Sequence, residues 1–167
     1  NESGSFATDG LAARFEIALE RSQEQWDYEA TLVADQGQGY LEPIFLDFGV
    51  HAFELAARGT LVGADRLDAE HFQIAHSGVL SAQGRGALDF AEEQPVRDLD
   101  VLIESMQFPG AYETYLQPLL IETDFKSMHM TGGVTGEVSV RDGAPHAFRF
   151  ELNDIDLEGD QLSLAMH

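Results

Sequence analysis

Residues 96–121 read VRDLDVLIESMQFPGAYETYLQPLLI, and here the chain changes its periodicity. Leu99, Val101 and Ile103 alternate with Asp98, Asp100 and Glu104, the repeat of a strand with one apolar face. After Phe108-Pro109-Gly110 the spacing lengthens. Tyr112, Tyr115, Leu116 and Leu119 recur at helical intervals and form one stripe. Pro109 suits a first helical turn, where a missing N–H loses no partner. Pro118 disfavours helical geometry at Gln117, so the stretch predicts a helix of about two turns. On both sides of it the chain reads as strand after strand.

Working outward, Ala12–Arg21 alternates Phe15, Ile17 and Leu19 with Arg14, Glu16 and Glu20. Gln25–Ala34 sets Trp26, Tyr28, Ala30 and Leu32 against Asp27, Glu29 and Thr31. Asp35–Gly39 has the composition of a turn. Tyr40–Phe48 follows, with Pro43 marking an edge or bulge. Phe53, Leu55, Ala57 and Leu61 face one way, and Glu54, Arg58 and Thr60 the other. Leu67–His76 changes phase between His71 and Phe72, as at a bulge. Leu80, Ala82, Gly84, Gly86 and Leu88 share a side, and the two glycines leave room for something to pack closely.

Beyond the helix come strands over Asp124–Thr131, Val134–Val140 and Ala147–Leu152, the last continuing through Ile155 and Leu157, and finally Gln161–Met166. Asp142-Gly143 and Glu158-Gly159-Asp160 supply hairpin turns. The expected fold is all-β: about ten mainly antiparallel strands in a strongly curved sheet forming an apolar groove, with one short helix near the middle. The connections are too short for crossover helices. The alternative is a closed β-sandwich serving as a binding or scaffolding module for protein or carbohydrate, because every strand offers three to five apolar side chains on one face. Burying each is worth roughly 1.5–3 kcal/mol, so that face must be covered by something.

At 167 residues the chain suits one domain. Asn1–Gly10, small and polar, reads as a flexible start, and 11–167 as a single β-rich domain. The chain stops inside an alternating stretch, Leu162–His167, and so reads as a piece of a longer protein. Thirty acidic residues against nine basic ones give a net charge of −21, and Lys126 is the single lysine. Nucleic acid needs a basic footprint that this chain lacks, so no nucleic-acid partner is expected. The same charge disfavours docking on an anionic bilayer. Cysteine is absent, which removes disulfide and thiolate chemistry. No apolar run approaches the roughly 20 residues needed to span a bilayer, and no signal-like pattern opens the chain.

Candidate chemistry is sparse. Met128-His129-Met130 has soft ligands, but on a strand the two methionines share a face and His129 points away. His71 and His76 fall on opposite faces of a regular strand and meet only through a bulge. His51 lies close to Asp47 in sequence. Asn153–Asp160 alternates oxygen ligands with a turn glycine, yet its spacing is not that of a twelve-residue calcium loop. No G-x-S-x-G elbow is present, and Gly84-Arg85-Gly86 meets Asp89 where a dinucleotide fingerprint wants glycine. The expectation is no enzyme, no metal and no cofactor.

Leu46–Leu88, LDFGVHAFELAARGTLVGADRLDAEHFQIAHSGVLSAQGRGAL, joins strands by short polar turns and ends in small residues and glycine. Met106–Val140, MQFPGAYETYLQPLLIETDFKSMHMTGGVTGEVSV, interrupts the β ladder with a short helix before a glycine-bearing strand. In both respects the chain resembles the AsmA-like family of bacterial envelope proteins, the group of the TamB and YdbH types. The resemblance implies a periplasmic segment of a longer protein anchored in the inner membrane. Its curled sheet would carry phospholipid acyl chains in an apolar groove towards the outer membrane. The lining expected on this basis is Trp26, Tyr28, Leu55, Phe72, Leu80, Phe148 and Phe150. The partners are then acyl chains and the rest of the parent chain, with edge-to-edge self-association open to the end strands.

Overall fold

Two-residue alternation produces one continuous antiparallel sheet in the computed structural model, which describes residues 6–23, 25–41, 44–92, 94–120, 123, 128–159 and 162–166. The strands are β1 (Phe6–Ser22), β2 (Gln25–Leu41), β3 (Ile44–Asp47), β4 (Phe53–Val62) and β5 (Arg66–His76). There follow β6 (Leu80–Asp89), β7 (Val96–Phe108), β8 (His129–Arg141), β9 (Ala144–Gly159) and β10 (Leu162–Met166). They are hydrogen-bonded in the order β1-β2-β4-β5-β6-β7-β8-β9-β10, with β3 folded back on the end of β2. Most sequence neighbours are spatial neighbours because short hairpins join them, and β7 and β8 also pair although the helical segment lies between them. Among the described residues every strand belongs to this one sheet and no second sheet lies across it, so the fold is the curved sheet and not the closed sandwich. No helix among the described residues is long and apolar enough to cross a membrane.

Bulges bend this sheet. In β5, Arg58 pairs with His71 and Gly59 with Ala69, which leaves Glu70 as the extra residue. That is one position from where the phase change predicts it. Further slips fall between Ile103 and Met106 of β7 and between Thr131 and Gly133 of β8. Each adds twist and restores the apolar phase, so that Leu67, Ala69, Phe72 and Ile74 share a face despite the inserted residue. The sheet curls until β3, on the β2 side, touches the helical segment after β7.

Several local expectations change. Asp35–Gly39 is not a turn: it lies inside β2, where Thr8 pairs with Gly39 and Asp9 with Gln38. Gly10 and Gly37 take positive φ there, so a glycine-rich run makes a bulge in a long hairpin. Residues 6–10 of the expected flexible start are strand, and 1–5 lie outside the described residues, as does Pro43. The strand expected at Asp124–Thr131 and the one after it are both β8, with 124–127 undescribed. Asp142 and Gly143, both at positive φ, make the β8–β9 turn as expected.

The helix forms where its stripe lies, as a π-helical turn Tyr112–Leu116 followed by a 3-10 turn Gln117–Leu119. Pro118 does not stop it at Gln117, which keeps helical angles of φ −56° and ψ −43°. Pro118 instead occupies the start of the 3-10 turn, where its lost N–H is harmless. Ala111, Tyr112 and Thr114 are buried, together with Phe48, His76, Val79, Ala82 and Ile103. The core therefore sits at one end of the sheet, under a helical plug.

Candidate functional site

Cross-strand pairs trace a single face. Trp26 pairs with Leu61, Tyr28 with Gly59 and Leu32 with Leu55. Leu55 pairs with Ile74 and Ala57 with Phe72, then Phe72 with Gly84 and His76 with Leu80. The path continues through Gly84–Val101, Val101–Val138 and Ile103–Gly136 to Val138–Phe148 and Gly136–Phe150. Paired residues point the same way. All seven expected lining residues are therefore on one face, distributed over β2, β4, β5, β6 and β9. Asp27, Glu54, Arg58, Gln73, Gln83, Asp100 and Glu137 occupy the other.

The glycines explain how broad rings fit. A Cβ on Gly84 would come within 2.7 Å of the Phe72 ring, and one on Gly86 within 3.1 Å of Leu99. Phe150 lies over Gly136 in the same way. Phe148 stacks on Phe150 with ring centroids 6.2 Å apart. The guanidinium of Arg21 sits 5.9 Å from the centre of the Trp26 ring, its cross-strand neighbour.

Coverage along this face is uneven. Tyr28 is buried, and Leu55, Phe72 and Leu80 are half-buried. Trp26, Phe148 and Phe150 are exposed at 44%, 75% and 48%, and so are Phe15, Ile17, Leu19 and Leu152. The exposed apolar side chains thus gather at two margins of the face, on β1–β2 and on β9.

One end of the face is closed by an aromatic chain. Phe48 meets Phe53 at 6.5 Å, Phe53 meets His76 at 5.8 Å, and His76 meets Tyr115 of the plug at 5.9 Å, all edge to face. His76 Nδ1 and the Tyr115 hydroxyl are hydrogen-bonded at 2.9 Å. His76 Nε2 is buried without a partner among the described residues. Burial and the adjacent His51 lower the pKa of His76, and burial raises that of Tyr115. Residue spacing does not reveal this arrangement, because a plug and an ordinary core helix carry the same stripe.

The other candidates separate. His71 lies on the charged face beside Arg58, away from His76. Asp47 does not pair with the His51 ring. Its carboxylate accepts N–H bonds from Gly49 and Val50 and one from Gln38, while His51 Nδ1 donates to the Ser77 carbonyl. His129 is exposed at the start of β8, with Met128 and Met130 half-buried. Asn153–Gly159 is part of strand β9 and not a loop, and Asp160 lies outside the described residues. Among the described residues no three His, Cys, Asp or Glu side chains are grouped to hold a metal ion.

Two hollows were not foreseen, one on the charged face and one bordered by side chains of both faces. One, of about 510 Å³, is lined by Glu70, His71, Gln83, Arg85, Asp100 and Glu137 among others. Another, of about 750 Å³, runs past Glu20, Asp27, Glu29 and Arg58. Asp100 anchors the first. It accepts from Ser139 and from Arg141, and Arg85 donates to it at 3.2 Å. Arg141 first, then Ser139, hold its carboxyl at about 2. Both hollows are wide and open, and each is lined by more acidic than basic side chains.

No protein-family model and no solved structure matches the chain. A curated glycerol kinase from Alkaliphilus metalliredigens (strain QYMF) is 30% identical over 111 residues, which make up 64% of this chain. The chain spans about a fifth of that protein, 21% of its length.

Proposed function

We propose that the chain is a non-enzymatic lipid-binding segment, which takes phospholipid acyl chains onto its apolar face within an envelope-spanning protein. The observation that carries this is one sheet whose apolar side is plugged at one end and, among the described residues, leaves Trp26, Phe148 and Phe150 exposed. Acyl chains suit such a surface, because they need contact area and no hydrogen-bond partners. The resemblance to AsmA-like proteins agrees with this chemistry and supplies the periplasmic setting and the rest of a longer, membrane-anchored chain as partner. The charged side turns to water, and the acidic residues hold neighbouring molecules apart.

Native mass spectrometry of protein purified gently from cells tests the proposal. Co-purifying phospholipid is the expected result, and a clean apo mass would count against it. Phe150→Glu should weaken lipid uptake while changing stability by less than about 1 kcal/mol, since exposed positions contribute little. Unfolding of that variant would make Phe150 ordinary core.

A further inference from the structure

We infer that Arg21 and Trp26 take the phosphate of a bound phospholipid, whose acyl chain then lies along β1, β2 and β4 towards the plug. This rests on the lipid-binding reading above and adds a head-group site to it. Arg21 follows Phe15, Ile17 and Leu19 in the two-residue repeat of β1 and pairs with Trp26 of β2, so it stands on the apolar face. The flanking pairs Glu20–Asp27 and Ser22–Gln25 fix that facing within the β1–β2 hairpin itself. Arg14, Arg58, Arg66, Arg85, Arg141 and Arg149 alternate to the charged face, and Arg97 falls in a register slip of β7. Among the described residues Arg21 is thus the cation that strand pairing sets on the apolar face.

Its surroundings suit an anion from outside the chain. No carboxylate pairs with Arg21 among the described residues, whereas Arg66, Arg85, Arg97 and Arg141 each have one. The guanidinium is held over the Trp26 ring, 5.9 Å from its centre. A guanidinium in that position keeps in-plane N–H groups to donate, and their fork matches two phosphate oxygens. Tryptophan is also a side chain that collects at the head-group level of a bilayer, since its body is apolar and its N–H polar.

The face beside this cation has room for the tail. From Arg21 towards the plug it carries Leu19, Ile17 and Phe15 on β1 and Gly59, Ala57 and Leu55 on β4, with no charged side chain between them. Trp26 pairs with Leu61, which stands eight residues along β4 from Phe53, where His76 joins the sheet to the plug. At about 3.4 Å per residue the run is roughly 27 Å long. One acyl chain fills about half of a 30 Å bilayer core, so it extends from Arg21 without meeting the plug. A lone cation at one end of an uncharged apolar run fits an amphiphile with an anionic head.

Titration calorimetry below the micelle concentrations tests this with palmitoyl lysophosphatidylglycerol, monopalmitoylglycerol, which lacks the phosphate, and glycerol 3-phosphate, which lacks the chain. The wild type should bind the first about tenfold or more tightly than the second, and the third not measurably. Arg21→Gln should bring the two acylated probes to equal affinity. Arg14→Gln, the same loss of charge on the other face, should leave their difference intact. Equal affinity of the wild type for both acylated probes overturns the inference and leaves the lipid-binding reading standing, whereas binding of neither removes both. A difference that survives Arg21→Gln overturns it too. So does one that falls equally in Arg14→Gln, which would assign the preference to overall charge. Tight binding of glycerol 3-phosphate that Arg21→Gln abolishes would give the site to a free phosphate compound and overturn the placing of the acyl chain.

Discussion

His76 is 2% exposed and links the plug to the sheet. Its folded pKa lies below the ordinary 6.5, so the unfolded chain binds its proton more readily. The stability associated with a neutral His76 is therefore complete above pH 6.5 and declines as the pH falls below it. Urea unfolding at pH 5.5 and 7.5 should show the wild type losing more stability on acidification than His76→Gln. Asp100 behaves in the opposite chemical sense with the same direction in pH. Its folded value of about 2 lies below the ordinary 3.8, so its contribution is full above 3.8 and lost as the pH falls through 2. With 31% of its side chain exposed, Asp100→Asn should cost only about 1 kcal/mol at pH 7 by chemical denaturation.

At the level of elements, the strands meet closely because glycine and aromatic residues stand opposite one another. A methyl group at Gly84 collides with the Phe72 ring and with the Asp100 carbonyl of β7. Gly84→Ala should therefore cost about 1–3 kcal/mol, measured as a fall in denaturation midpoint with unchanged slope. The plug depends on burial. Tyr112 is 2% exposed, and Tyr112→Ala should cost about 3 kcal/mol and speed protease cleavage within 110–119. Helical spacing made this element legible, but where it docks was not. Its stripe would look the same against any apolar surface, and only the curl of the sheet brings β3 and the helix together.

The whole molecule combines an apolar face with a charge of −21. If that face collects acyl chains from membranes, approach to an anionic bilayer is repulsive over about 8 Å at physiological salt and further at lower salt. Uptake of a fluorescent phospholipid from anionic vesicles should slow as ionic strength falls from 0.15 M to 0.01 M, concentrations corresponding to Debye lengths of about 8 and 30 Å. Uptake from zwitterionic vesicles should change little. Equal salt dependence for both vesicle types would remove charge from the account of lipid approach.

Alternation in the sequence determines which side chains share a face, because the pleat of a strand has a period of two and tolerates no slip. That is why Trp26, Tyr28, Leu55, Phe72, Leu80, Phe148 and Phe150 were readable as one set, and why the bulge beside His71 showed as a break in phase. The same alternation serves a sandwich core and an open sheet equally well, so it could not say whether a second layer covers that set. Local composition was also ambiguous at Asp35–Gly39, where glycine suits a turn and a bulge alike until β1 pairs alongside. Tertiary structure decided the rest, since strand order, curl and the seating of the plug depend on contacts between residues far apart in the chain. No local pattern encodes them.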